Sequence, residues 1–114
     1  MGLATSQIRL IYLTMLRSDL EFKIQLITQS KISLTNSTSE LIDAGNNLDP
    51  SSPEMKLLAQ RQQRLQAIEK KLDATIERYK TMLNAVTTEL QAAERFVSED
   101  IRLSFNYSRG YSIA

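Results

Sequence analysis

The chain has 114 residues, with 14 Lys and Arg against 13 Asp and Glu, a net charge of +1, and neither Cys nor His. Those counts exclude disulfides, thiolate and imidazole metal sites and His-based acid–base catalysis, and they supply no net field for holding nucleic acid or anionic lipid. With only 3 Gly and 2 Pro there are few places to turn, so one all-α domain is expected.

At the N-terminus, residues 1–16 lack the basic start of a cleaved leader, and Arg9 interrupts the apolar run of residues 8–16. That run is also far shorter than the roughly 20 residues of a membrane span. The expectation is a chain that stays in the cytoplasm or leaves the cell by a leaderless route.

A first helix is expected over about residues 5–44, with Thr5 or Ser6 as N-cap and Gly45 ending it in a left-handed conformation. One apolar seam runs through Leu13, Leu16, Leu20, Ile24, Ile27, Leu34 and Leu41, with Lys31 and Thr38 where apolar residues belong. A second apolar set, Ile8, Ile11, Tyr12, Met15, Phe22 and Leu26, lies on another side. It reads either as a wide core-facing stripe or as a face for a second partner. A helix spanning residues 3–27 could alternatively lie on a membrane surface, but Asp19 and Glu21 and the lack of a basic polar face oppose that. Seven Ser and Thr residues between Thr28 and Ser39 compete for backbone hydrogen bonds, which marks a hinge or a solvated, weaker stretch.

The turn falls at about residues 45–52, where Ser52 can cap, Pro53 fits the first helical position and Glu54 meets the positive end of the helix dipole. A second helix follows over about 53–104. Its seam is the clearest pattern in the chain: Leu72, Ile76, Tyr79, Leu83, Val86, Leu90, Ala93 and Val97 alternate four- and three-residue steps, the heptad spacing of a helix that packs along another helix. Two long helices with a short connection imply an antiparallel coiled-coil hairpin.

A turn centred near residues 48–49 places Thr5 beside Ala92 and leaves everything after Ala93 overhanging. That segment holds Phe96, Ile101, Leu103, Phe105, Tyr107 and Tyr111, too apolar for a free tail, and another copy of the chain is the expected cover. Leading into and through the tail, residues 105–114, the alternation of Leu103, Phe105 and Tyr107 with Ser104, Asn106 and Ser108 suggests either a short strand or an aromatic peptide docked on a helix.

Chemistry is thinly represented. Glu69, Asp73 and Glu77 share a helix face and could gather a divalent cation, yet Lys70, Lys71, Arg78 and Lys80 surround them, as on a solvated mixed-charge surface. The basic group Lys56, Arg61, Arg64, Lys70 and Lys71 has no interleaved aromatics and reads as helix surface. No phosphate loop, nucleophile elbow or paired-carboxylate motif is present, so no catalytic residue, metal site or cofactor site is assigned.

The turn Pro50-Ser51-Ser52-Pro53, followed by Glu54-Met55-Lys56-Leu57-Leu58-Ala59-Gln60, resembles that of the helical-hairpin needle subunits of bacterial type III secretion systems. The paired terminal helices resemble, more loosely, those of flagellin-like axial proteins. The resemblance implies a subunit exported without a leader, with an export apparatus or chaperone as a further partner, that polymerises into a helical tube at the cell surface or outside the cell. The functional expectation is a non-enzymatic structural subunit that self-assembles through the second set on the first helix and the apolar C-terminal segment. The alternative is a cytoplasmic coiled-coil adaptor or secretion chaperone that binds a different protein.

Overall fold

The computed structural model describes residues 2–113, and side chains through Arg109. Two helices account for nearly all of it: α1, Leu3–Gly45, and α2, Pro53–Ile113. They form an antiparallel helical hairpin made of two compact units. In the terminal unit the chain up to Phe22 packs against Lys80 and beyond; the turn unit is Lys23–Tyr79.

The connection is built from short polar side chains. Asp49 Oδ1 accepts from the Ser51 amide at 3.1 Å and the Ser51 hydroxyl at 3.0 Å, and the Ser52 amide donates to the Asp49 carbonyl at 3.0 Å. Ser52 then caps α2, its Oγ accepting from the Met55 amide at 3.3 Å, with Pro53 at the first helical position and Glu54 in the first turn. Gly45 differs from expectation. Among the described residues no glycine has positive φ, and Gly45 is the last helical residue rather than a left-handed cap. The chain leaves α1 through bonds from Asn46 to the Ile42 carbonyl and from Leu48 to the Gly45 carbonyl, both 3.1 Å, so no left-handed residue is needed.

Both termini of the hairpin also correct the sequence reading. α1 begins at Leu3 instead of residue 5, and neither Thr5 nor Ser6 caps it: the Ser6 amide already donates to the Gly2 carbonyl at 3.1 Å. α2 runs on through residues 105–113 instead of stopping near 104, so the tail is neither a strand nor a separate docked peptide. Both elements of the hairpin are helices, so a strand there has no ladder to join, whereas continuing the helix pairs each amide internally. The stretch from Thr28 to Ser39 stays helical as well. Thr28, Ser30, Thr35, Ser37 and Thr38 turn their hydroxyls back to carbonyls four residues earlier, at 2.7–3.1 Å, which satisfies them without opening the helix.

All eight residues of the α2 ladder from Leu72 to Val97 are buried or half-buried. The same frame continues in both directions, through Met55, Leu58, Gln62, Leu65 and Glu69 before it and to Asp100 after it, all half-buried. On α1 the inward frame comprises Leu3, Ser6, Leu10, Leu13, Leu20, Ile24, Ile27, Lys31, Leu34, Thr38, Leu41 and Gly45, with Leu16 and Arg17 sharing one position.

Candidate functional site

In the terminal unit, Leu13, Leu20, Val86, Leu90 and Ala93 are the buried apolar residues, all at 8% exposure or less. Ser6 is buried beside them, and its hydroxyl donates to the Asp100 carboxylate, with the Gly2 carbonyl 3.2 Å from the same oxygen. This contact shifts the expected register. Thr5 was to lie beside Ala92, but its neighbour Ser6 meets Asp100, some two turns further along α2. The offset is not uniform: Arg9 and Glu89 lie 3.9 Å apart, close to the expected register, whereas Lys31 with Asp73 and Thr35 with Glu69 meet several residues further along α2, and the lean of each side chain toward its own N-terminus contributes part of it. The segment from Ala93 to Asp100 therefore packs within the hairpin instead of overhanging.

Beyond Asp100 the environment changes. Residues 101–109 are all exposed, among them Ile101, Leu103, Phe105 and Tyr107 at 51–69%. Phe96, one turn before Asp100, is 49% exposed and edges a shallow groove with Ala92, Arg95, Ser98, Glu99 and Arg102. Tyr111, also expected in this surface, has a side chain outside the described residues.

On α1 the second apolar set is not a widened core stripe. Ile8, Ile11, Tyr12, Met15 and Phe22 are 58–68% exposed. Ile8, Tyr12, Met15 and Phe22 follow the same three- and four-residue steps as the buried seam, half a helical turn away from it, with Asp19 at the step between Met15 and Phe22. α1 thus carries two heptad stripes on opposite faces, of which the hairpin buries one. Leu26, in the turn unit, is 46% exposed.

The turn unit holds a more polar seam. Lys31, expected to intrude, is half-buried and its ammonium lies 2.5 Å from the Asp73 carboxylate. That hydrogen bond, with the charge of Asp73 and then of Glu69, holds the Lys31 pKa above the ordinary lysine value. The Thr35 hydroxyl, already turned to the Lys31 carbonyl at 3.0 Å, shares its proton with the Glu69 carboxylate 3.3 Å away. Glu69 and Asp73 are thereby engaged across the hairpin, and no cluster of three metal-capable side chains occurs among the described residues. Lys23 and Arg78 sit 6.0 and 5.5 Å from the centre of the Tyr79 ring, a cation–π geometry around the half-buried phenol. Grooves near Leu41 and the turn are open to the surface, not enclosed.

Sequence reasoning missed Ser6, Leu10, Gln62, Glu69 and Asp100 as inward positions. Their signal is the continued three- and four-residue stepping, which polar identity hides when only apolar residues are traced. Among the described residues no helix is long and apolar enough to cross a membrane. Comparison with family models, curated proteins and solved structures finds no match to the chain.

Proposed function

We propose that this protein is a structural subunit that assembles with copies of itself into a filament or tube. The observation that carries this reading is the exposed heptad stripe of Ile8, Tyr12, Met15 and Phe22, with Ile11 beside it, opposite the face of α1 that the hairpin buries. Helices use heptad stripes to pack along other helices, because the alternating steps keep one line of knobs facing a straight partner. A globular surface tolerates scattered apolar side chains, but aligned ones are a standing interface.

The magnitudes bear on how assembly occurs. Covering five such side chains, each 58–68% exposed, yields about 6 kcal/mol, since full burial of one is worth roughly 2 kcal/mol. Bringing two molecules together costs on the order of 4–15 kcal/mol. One patch alone makes a weak contact, and the second exposed patch, Ile101 to Tyr107, is needed for a lasting one. The resemblance to needle subunits supports the tubular form of the assembly.

Negative-stain electron microscopy with light scattering across a concentration series tests the reading. Filaments or tubes of constant width, with mass growing with concentration, are the expected result. A monodisperse dimer or small bundle at every concentration contradicts it and favours an adaptor that binds a different protein.

A further inference from the structure

We infer that two copies of the chain pair through the outer stripe of α1, antiparallel and two-fold, with Met15 at the axis. This rests on the self-assembly reading above and adds which surface meets which. A line of knobs at heptad spacing needs a matching line on its partner. Among the described residues the outer stripe is the one exposed surface that supplies it: nowhere else do more than two large exposed apolar side chains follow one another by three- and four-residue steps. At the C-terminal end, Ile101 and Phe105 share one side of α2, whereas Leu103 and Tyr107 lie about 200° round the helix from them. That segment presents two short rows rather than one stripe. The surface that matches the α1 stripe is therefore the same stripe on another copy.

The layout of the stripe sets the orientation. Ile8 and Phe22 each stand seven residues from Met15, so a two-fold axis at Met15 seats Ile8 of each copy on Phe22 of the other. Every residue of that contact then lies in the terminal unit. A parallel pair would run on along α1 into Gln29, Ser33 and Asn36, the exposed polar continuation of the same steps, and would set those against their own copies. The antiparallel pair leaves them in water, where they cost nothing to hydrate. Asp19 already interacts within its own chain, and its charge has no part in the choice.

The area fits a weak pair. Five α1 side chains 58–68% exposed, at roughly 200 Å² each, offer about 600 Å². In a two-fold contact both copies bury that same patch, about 1,200 Å² within one interface, the lower end of the roughly 1,200–2,000 Å² of specific pairs. Pairing is therefore concentration-dependent. A patch that meets itself closes on two copies, so growth beyond the pair takes a second, separate contact, for which the exposed Ile101 to Tyr107 remain.

Single cysteines test this, because the chain has none and a disulfide can then form only between copies. Mild oxidation of Met15→Cys is expected to give a covalent pair at twice the 13.0 kDa of one chain, well above the chance level set by Lys56→Cys, an exposed position on α2. Ile8→Cys alone should stay at that chance level, since the axis at Met15 holds the two copies of residue 8 about 21 Å apart along the helices. Ile8→Cys mixed with Phe22→Cys should cross-link. Far-UV circular dichroism checks helicity, and Tyr12→Cys mixed with Ser18→Cys replaces that mixture if helicity falls. Met15→Cys at the chance level, while the unmodified chain gains mass with concentration, overturns the stripe-to-stripe contact and leaves self-assembly standing. Ile8→Cys that cross-links by itself, or a mixture that fails to, overturns the antiparallel arrangement. An unmodified chain that never gains mass overturns the underlying reading instead.

Discussion

Around Leu13, Leu20, Val86, Leu90 and Ala93 the hairpin seam is filled with buried apolar side chains, whereas at Lys31, Thr38, Gln62 and Glu69 the same frame is half-buried and polar. The first region also carries the exposed apolar stripe of α1, and the second is outwardly more hydrophilic, with Ile32, Ile42, Leu57 and Ile68 scattered rather than aligned. A common heptad frame thus performs two tasks. Apolar seam residues supply burial but accept many offsets, since one heptad step looks much like the next. Polar seam residues contribute little burial yet accept few partners, and Lys31 with Asp73, Thr35 with Glu69 and Ser6 with Asp100 select one register.

The largest expected effect lies in the apolar region. Leu20→Ala or Leu90→Ala should lower unfolding stability by about 2–5 kcal/mol, because both are nearly inaccessible. Leu34→Ala in the polar region should cost clearly less, since Leu34 is only half-buried. Urea titration followed by circular dichroism compares them, and equal losses would remove the distinction between the two regions. Next comes Ser6→Ala, which leaves the Asp100 carboxylate without its buried donor and should cost about 1–2 kcal/mol in the same titration. Gly45→Ala should act in the opposite sense. Its backbone is helical, and an added Cβ meets Met55 and Leu58 at ordinary contact distances of 3.7 and 3.9 Å, so removing the glycine should stabilise by about 0.5–1 kcal/mol.

The smallest effect concerns pH. The Lys31 pKa is raised in the folded chain, so its pairing with Asp73 contributes fully below the ordinary lysine value and is lost as pH rises through the raised one. Stability of the unmodified chain should therefore fall more steeply above about pH 10 than that of Asp73→Asn. The pair is partly exposed, which keeps the difference small and salt-sensitive.

Much of this fold was legible because it rests on short-range rules. Two helices, a Ser52-capped second helix and the stepping from Leu72 to Val97 all follow from period and punctuation. The register was only partly legible: counting from the turn centre places Arg9 near Glu89 but misses the meeting of Ser6 with Asp100, to which the lean of the side chains contributes. The tail was misread because alternation over Leu103, Phe105 and Tyr107 is too brief to separate period two from helical period, and the absence of any strand to pair with becomes visible only in three dimensions. Ser6 and Glu69 escaped notice because polar residues at seam positions look like surface until their partners across the hairpin are known. The outer stripe of α1 was visible as a second apolar set; its separation from the core required the burial of the first.

The most direct test of the central claim is light scattering of the unmodified chain and of Phe22→Glu over one concentration series, with helicity measured on the same samples. The unmodified chain should gain mass with concentration while Phe22→Glu stays near 13.0 kDa at unchanged helicity. Equal growth of both, or growth of neither, would contradict an assembly built on the outer face of α1.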